Sequence, residues 1–368
     1  MILLLACVQP DTDKTETAER PGPTSSVTST VYDDTSDRDG YLTVPVEVTA
    51  DMGVFQVVVH RDSGTTGLEY MYAPDGTKVL DWEDWYDSSF SLTDAFYPTE
   101  FASTTNWPVR AQDGPLAEGT WEVVIGTYDR GNYAGGKDVT VEVLTRPDPT
   151  FDAGKLYAVI AYAEGVREEE GVAPAVEAAA EYWVQLYAAV GIELEVTYTD
   201  IAVDPALPDT YEGLDEFKAF HEDAERRSVL MVIGEDIAGD QWTYGEAGAI
   251  PGPYAPAEHA AVEVAWIANA GADAEFQDAD ILLMGETMAH EVGHYLGLYH
   301  PVEDGFEYWD ALEDTEACRG YTPCEDALGA NLMFPYPVCT GMNAGSCMRQ
   351  DELSGDQSGV MHRYVGVE

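Results

Sequence analysis

Residues 40–145 carry short apolar and β-branched runs that are separated by turn signals such as Pro74-Asp75-Gly76 and Ala134-Gly135-Gly136. The segment from Val139 to Val143 alternates apolar and polar residues, as a half-buried strand does. The predicted strands are Tyr41–Val48, Val54–His60, Leu68–Tyr72, Lys78–Leu80, Trp121–Tyr128 and Asp138–Leu144. Many short strands without helical periodicity predict an antiparallel β-sandwich over residues 39–146.

Beyond residue 150 the pattern changes to strands that alternate with helices. Thr145-Arg146-Pro147-Asp148-Pro149 is predicted to be a linker, because its two prolines interrupt both strand and helix. The predicted strands are Leu156–Ala161, Ile192–Thr199, Ser228–Ile233 and Val262–Ala268, and the predicted helices are Ala173–Val190, Tyr211–Arg227 and one that begins near Ile281. This order predicts an α/β domain over residues 150–368, with an irregular lower part after His300.

The start of the chain differs from both regions. A short apolar run, residues 2–6, precedes Cys7, and Leu4-Leu5-Ala6-Cys7 resembles a bacterial lipobox, in which the cysteine is lipidated. The alternative for residues 1–7 is a fragment of an ordinary secretion signal. Either interpretation predicts export, to the bacterial surface as an outer-membrane lipoprotein or into the medium. Residues 8–38, rich in Thr, Ser, Asp, Glu and Pro, are predicted to form a disordered tether.

Composition limits the partners. The 368 residues include 69 acidic and 17 basic side chains, for a formal charge of −52. Such a surface repels nucleic acid and anionic membranes, so we expect neither as a partner, and membrane contact only through a lipid on Cys7. We expect a monomer that acts on a protein or peptide substrate. Most of the carboxylates are interpreted as a solvated acidic surface.

The chemistry is concentrated between residues 290 and 300, which read H-E-x-x-H-x-x-G-x-x-H. On a helix, His290 and His294 lie one turn apart, so both imidazoles can reach one metal ion. Gly297 can adopt a left-handed conformation that ends the helix, and the reversed chain brings His300 round as a third ligand. Glu291 lies beside this face, where it can take a proton from water that the metal activates. Three protein ligands leave one zinc position open, as in catalytic sites.

Two further groups of residues can bind metals or form cross-links. Cys318, Cys324, Cys339 and Cys347 cluster in the lower part, and they are interpreted as two disulfides, with a second zinc site as the alternative. The carboxylates Asp304, Asp310, Glu313 and Asp314 could hold Ca²⁺, which prefers oxygen ligands, and a solvated acidic loop is the alternative.

The long zinc motif, followed by Asn331-Leu332-Met333, resembles the metzincin metalloproteases, in which the methionine of a Met-turn packs under the zinc site. Finer detail is similar to the pappalysin (cytophagalysin) family over residues 154–368. The matching pieces are His294–His300, Glu313-Asp314-Thr315, Asn331-Leu332-Met333, Cys347-Met348, Gly355-Asp356-Gln357 and Val360-Met361. In the first region, Tyr72–Thr77 and Gly119–Val123 resemble the jelly-roll accessory domains of secreted peptidases. The resemblance therefore implies an α/β metzincin catalytic domain, with a twisted mixed sheet and an irregular, disulfide-bound lower subdomain, that follows a β-sandwich accessory domain.

The resemblance also implies roles for individual residues. A family tyrosine can support the transition state two positions after the Met-turn methionine, but Pro335 stands there and Tyr336 follows it, so Tyr336 is a candidate. The family favours a disulfide Cys318–Cys347, which leaves Cys324–Cys339 as the second pair. The segment after the Met-turn forms part of the primed-side pocket, so Arg349 is a candidate for binding Asp or Glu after the scissile bond. The alternative is that Arg349 pairs with a surface acid such as Asp351.

These observations lead to two functional hypotheses. The first is a secreted or surface-anchored zinc metalloendopeptidase with Glu291 as the general base. The second is a surface adhesin or binding lipoprotein whose protease domain is degenerate or restricted to one target. An intact set of ligands and an intact Glu291 favour the first.

Overall fold

The computed structural model describes residues 26–86, 88–99, 102–147, 150–207, 227–237, 239, 243–254, 261–265, 276–303, 305–338 and 349–368. Cys7 and most of the predicted tether therefore lie outside the described residues. None of the helices in the described ranges combines the length and the apolar character needed to cross a membrane.

The first region, up to Pro147, consists mainly of two antiparallel sheets, with one short α-helix. One sheet has the order β1-β10-β3-β7 and the other the order β2-β8-β4-β5, with β9 paired to β8. The elements are β1 Thr28–Thr35, β2 Tyr41–Val48, β3 Met52–His60, β4 Thr65–Tyr72, β5 Lys78–Asp81, α1 Trp82–Tyr86, β6 Phe90–Ser91, β7 Ala102–Trp107, β8 Gly119–Asp129, β9 Asn132–Tyr133 and β10 Asp138–Pro147. The predicted strands of this region are all present.

The alternation of side chains along these strands places their apolar residues in a common core. In β2 the residues Leu42, Val44, Val46 and Val48 are buried while the intervening residues after Tyr41 are exposed, as a period of two requires for a strand with one wet face. The two sheets meet through aromatic side chains. The ring centroids of Phe55 on β3 and Trp121 on β8 lie 5.9 Å apart.

The tether prediction is wrong for residues 28–35. These residues form β1, which pairs with β10 from Thr28↔Thr145 to Thr35↔Asp138. The side chains of β1 are almost all exposed, so the strand has no apolar alternation that a sequence pattern could reveal. Its place at the edge of the sheet depends on backbone hydrogen bonds and on the β-branched Thr and Val residues.

The linker prediction is wrong in part. The β10 strand continues through Thr145 and Arg146 to Pro147, with an irregular register at its last step. A proline is tolerated there because it stands at the strand terminus, where its missing N–H costs little. Residues 148–149 lie outside the described ranges.

The second region is built on a mixed five-stranded sheet of order β12-β11-β14-β17-β16. The pairs β11/β12, β11/β14 and β14/β17 are parallel, and β16 runs antiparallel to β17 at the edge. The elements are β11 Gly154–Tyr162, α2 Val172–Ala189, β12 Ile192–Asp200, β13 Ala206–Leu207, β14 Val229–Gly234, β15 Asp236–Ile237, β16 Gly245–Ala247, β17 Ala261–Ala265, α3 Asp278–Tyr295, β18 Trp309–Asp310, α4 Tyr321–Leu328 and α5 Gly355–Arg363. The predicted helix Tyr211–Arg227, apart from Arg227, and the end of the predicted strand Val262–Ala268 lie outside the described residues.

Helix α3 is held against the sheet by α2. The hydroxyl of Tyr187 donates to the carbonyl of Ala289 at 3.0 Å. Where the two helices cross, a Cβ on Gly285 would lie 2.7 Å from the carbonyl oxygen of Ala179, so a glycine is needed for this close approach. The helix that carries the histidine motif therefore has a fixed position relative to the sheet.

The two regions share a buried interface. The amide of Gln56 donates to Gly252 O at 3.2 Å and accepts from Tyr254 N at 2.7 Å. Asn106 donates to Arg363 O at 2.9 Å and accepts from Val365 N at 3.1 Å. Each buried amide satisfies one donor and one acceptor of the other region, so separating the regions would leave these groups unpaired at a cost of about 1–3 kcal/mol each.

Candidate metal centre

Helix α3 ends where its sequence predicts. Its last residue is Tyr295, and Gly297 then adopts a φ of 108°. The N–H of Gly297 donates to His294 O at 2.8 Å, and the N–H of Leu298 donates to Gly293 O at 3.0 Å. These bonds satisfy carbonyls that the helix end would leave free, and they turn the chain back toward the helix.

This reversal brings the three histidines together. The Nε2 atoms of His290, His294 and His300 lie 3.1–3.2 Å from one another. A tetrahedral metal with metal–nitrogen bonds of about 2.0–2.1 Å requires its ligand atoms to be about 3.3–3.4 Å apart. In the described part of the chain, this is the one group of three or more His, Cys, Asp or Glu side chains that is close enough to hold a metal ion.

The far side of each imidazole is also held. His290 Nδ1 lies 2.7 Å from Leu332 O, His294 Nδ1 lies 2.6 Å from Leu298 O, and His300 Nδ1 lies 2.7 Å from Glu303 Oε2. Because every partner is an oxygen acceptor, each Nδ1 carries the proton and each Nε2 presents its lone pair to the centre. Burial and the neighbouring His300 lower the pKa of His290 to about 3, and burial holds the pKa of His294 well below its usual range. The rings of His290 and His294 are thus kept in the neutral form that binds metals.

Glu291 lies beside this triad in a cavity of about 200 Å³. Burial, with the nearby charge of Glu246, raises the pKa of its carboxyl to about 8. A cation bound by the triad would lower that pKa, because opposite charges favour the ionised form. The cavity is lined by Thr243, Tyr244, Gly245, Leu283, Glu286, Thr287, His290, Glu291, Leu332, Phe334, Pro335, Pro337 and Gln350.

Met333 packs against α3 at Gly293, the residue before His294. It is fully buried, and a Cβ on Gly293 would lie 2.7 Å from its sulfur. The turn is fixed by Asn331, whose side chain accepts from Met333 N at 2.9 Å and exchanges two hydrogen bonds with Gln357 of α5. The same turn supplies Leu332 O to His290, so the position of Met333 and the orientation of the His290 ring depend on one backbone segment.

The structure does not bring Tyr336 to the cavity, although Pro335 and Pro337 on either side line it. The Tyr336 ring packs in an aromatic group, with centroids 6.0 Å from Phe306, 5.7 Å from Tyr321 and 6.1 Å from Phe334. The role of Tyr336 at a transition state stays a prediction.

Arg349 also differs from its predicted setting. Its Nε lies 2.8 Å from Oε1 of Glu286, a buried residue of α3 one turn before His290. Glu286 lines the cavity and Arg349 is not among the described residues that do. Burial raises the pKa of Glu286 to about 7, and the guanidinium opposes this shift. The observed ion-pair partner of Arg349 is therefore the buried Glu286, where the alternative interpretation named Asp351. The role of Arg349 in binding a substrate carboxylate stays a prediction.

The predicted disulfides Cys318–Cys347 and Cys324–Cys339 are wrong. Cys318 is bonded to Cys324, with a Cα–Cα distance of 5.2 Å. Helix α4 begins at Tyr321 and turns the chain back, so that buried Cys324 faces Cys318 in the small apolar cluster around Trp309 and Phe334. Cys339 and Cys347 lie outside the described residues.

We expect peptide mapping without reduction to recover Cys318 and Cys324 in one linked fragment. The double change Cys318→Ser with Cys324→Ser should lower the free energy of unfolding by about 2 kcal/mol, because the bond closes only a short loop. Denaturant unfolding of oxidised and reduced protein measures this. Recovery of Cys318 joined to Cys347 would contradict the assignment.

The carboxylates considered for calcium have other partners. Asp314 accepts from Ser354 Oγ at 2.7 Å and from Asp356 N at 2.8 Å, and so helps to fix the start of α5. Asp310 accepts from Thr315 Oγ1 and Leu312 N, and burial raises its pKa to about 7. Asp304 lies outside the described residues. The carboxylates of Asp310 and Asp314 thus organise the loop through hydrogen bonds.

Three residues near the histidine triad and Glu291 were not predicted from the sequence. Gly245 on β16 lies so close to Glu291 that an added Cβ would be 2.5 Å from its Cγ. Tyr244 lines the same cavity, and Asp94 of the first region accepts a hydrogen bond from Tyr299. No local pattern marks these residues, since each reaches the centre through the packing of distant segments.

Comparison with known proteins identifies no family for the chain. No family model matches it, and no curated protein does. Metalloproteinase-II from Bacteroides fragilis matches 51% of this chain and 61% of its own, with 13% identity and a TM-score of 0.28, so the chain spans less than two thirds of that protein. The protein YXIM of Bacillus subtilis matches 52% of this chain and 46% of its own chain, with 7% identity and a TM-score of 0.16. A family two carbohydrate esterase from Cellvibrio japonicus matches 56% of this chain and 68% of its own chain, with 11% identity and a TM-score of 0.10. These similarities are low, and the functional argument rests on the site itself.

Proposed function

We propose that this protein is a zinc-dependent endopeptidase of metzincin type, with a pappalysin-like catalytic domain behind an antiparallel β-sandwich. One observation carries the proposal. Three imidazole nitrogens lie within 3.2 Å of one another, and His290, which carries one of them, lines the same cavity as Glu291. Binding modules do not require a buried acid next to an open metal site, whereas hydrolysis does.

His290, His294 and His300 would hold the zinc ion, since their donor set and spacing fit a tetrahedral site with one position left for water or substrate. Zinc held there supplies a Lewis acid that polarises a carbonyl and makes water more acidic. Glu303, Leu332 O and Leu298 O keep the three rings oriented, which raises the affinity of the site.

Glu291 acts as the general base and then as the general acid. Its carboxylate takes a proton from the attacking water and passes it to the leaving amine. The carboxyl is buried, so the proton can be held away from bulk solvent between the two transfers. Strand β16, the outer strand of the sheet as described, runs past Glu291 and offers an edge on which an extended substrate can pair.

The second candidate function is a surface adhesin or binding lipoprotein with an inactive protease domain. Digestion of casein with and without a chelator separates the two. Zinc at one ion per chain with chelator-sensitive digestion supports the peptidase, and a protein that holds no zinc rules it out. Stoichiometric zinc without digestion of casein indicates a peptidase restricted to one target. We also propose export through the segment that contains Cys7, and a monomeric state.

Gly245→Ala is expected to retain zinc and lower kcat about 100-fold. The new methyl group would occupy the space of the Glu291 side chain, and a shift of the base by about 1 Å costs on the order of a hundredfold. Zinc content and peptide hydrolysis, measured on the same preparation, check this. Gly76→Ala is a suitable control, because nothing lies near that Cβ position; its strained φ of 82° affects stability far from the cavity. Unchanged kcat in Gly245→Ala would contradict the placement of β16.

A further inference from the structure

A segment of the first region, residues 88–97, lies along the loop that follows α3. Its short strand β6 pairs in parallel with β18, in the register Trp309↔Phe90 and Asp310↔Ser91. The N–H of Trp309 donates to Ser89 O at 2.9 Å, and the N–H of Ala311 donates to Ser91 O at 3.0 Å. The far end of the loop that carries His300 is thus bound to the first region by backbone hydrogen bonds.

The near end of that loop is bound by Asp94. The hydroxyl of Tyr299, the residue before His300, donates to Asp94 Oδ1. Asp94 is itself fixed, because its N–H donates to Ile250 O at 2.7 Å and Thr93 caps the short 3-10 turn in which it lies. The same backbone continues to Gly252, whose N–H donates to Tyr295 O at 2.9 Å at the end of α3. Asp94 therefore connects the helix end and the loop.

His300 depends on support from the first region more than His290 and His294 do. His290 and His294 are carried by α3, which fixes their separation. His300 follows Gly297 on a segment without regular secondary structure, and its ring is oriented by Glu303 from the same loop. A ligand on a loop binds a metal tightly only when the loop is already ordered, and outer-shell contacts of this kind contribute about 10–100-fold in metal affinity.

We infer that Asp94 is a positioning residue for His300, so that the first region supports the metal centre rather than being an appended module. This inference rests on the proposed function in one respect, namely that the histidine triad holds zinc. It assigns to the first region a role in metal affinity, for which its fold alone gives no indication.

The test uses the full chain and measures the zinc dissociation constant by competition with a chromophoric chelator. Asp94→Ala and Tyr299→Phe should each weaken zinc binding by about 10–100-fold. The double variant should have the same zinc affinity as whichever single variant binds zinc less tightly, because both changes remove the same hydrogen bond. Asp94→Asn keeps an oxygen acceptor for the Tyr299 hydroxyl and should bind zinc within about threefold of the parent protein.

Asn106→Ala is the matched control, since it removes a buried contact between the two regions at Arg363 and Val365. It should lower the melting temperature and leave zinc affinity unchanged. The visible spectrum of the Co²⁺-substituted protein gives a second readout, which should change in Asp94→Ala and Tyr299→Phe and not in Asn106→Ala. If Asp94→Ala does not fold, Tyr299→Phe decides the test, because it keeps the ring.

Two results would overturn the inference. Zinc affinity in Tyr299→Phe equal to that of the parent protein would show that the hydrogen bond does not position His300. If Asn106→Ala weakens zinc binding as much as Asp94→Ala and Tyr299→Phe do, the effect reflects general stability and not the position of His300. A parent protein that binds no zinc would instead remove the proposed function, so the two failures are distinguishable.

Discussion

Glu291→Gln is expected to keep one zinc per chain and to lose at least ~10³-fold in kcat for peptide hydrolysis. The amide has nearly the shape of the carboxylate, so the cavity and the triad should remain as they are. It cannot accept a proton from water, however, and the step that Glu291 performs is lost. The Glu291 carboxyl is not among the partners of the three Nε2 atoms in the triad. The zinc content of Glu291→Gln should therefore stay the same although kcat falls.

The measurement is zinc per chain beside kcat for a peptide substrate, with Glu307→Gln as control. Glu307 is exposed on the loop after His300, so its change removes one carboxylate from the same part of the molecule without altering the cavity. Activity within about tenfold of the parent in Glu291→Gln would refute a general-base role, since such a role contributes at least about 10²-fold.

Alanine at His290, His294 or His300 is expected to abolish stoichiometric zinc binding and, with it, hydrolysis. Each change leaves two nitrogen ligands, and structural and catalytic zinc sites in proteins use three or four protein ligands. Zinc should also raise the melting temperature of the parent protein, because a ligand at 1,000 times its dissociation constant stabilises the folded state by about 4 kcal/mol. The three variants should lose this increase.

Metal analysis after dialysis and thermal unfolding with and without a chelator check this expectation. His60→Ala provides the control, since His60 lies at the end of β3 in the first region, away from the triad. Full zinc retention in all three triad variants would place the metal elsewhere. If zinc is lost in His290→Ala and His294→Ala but retained in His300→Ala, the loop does not supply the third ligand.

The ligand set was predictable because it depends on local geometry. Histidines four residues apart on a helix share a face, and a glycine after the last turn reverses the chain, whatever the rest of the molecule does. The strand alternation of Tyr41–Val48 is equally local, since a period of two with one buried face requires only a core on one side. These features are properties of short segments, and the structure has them where the sequence predicts them.

The remaining features depend on which distant segments meet. Strand β1 has no buried face and is held by its backbone pairing with β10, so its composition alone indicated disorder. Cys318 pairs with Cys324 because helix α4 folds back onto the Trp309 cluster, and a count of cysteines leaves several pairings open. Arg349 contacts Glu286 through the packing of the lower segment on α3. Asp94 reaches Tyr299 across a separation of 205 residues. The sequence alone was thus enough to predict the histidine triad, the position of Glu291 beside it and most strands, through periodicity and chain stereochemistry. Only the tertiary structure decided the edge strand, the cross-link and the support of His300, because these are set by long-range packing, which no local pattern encodes.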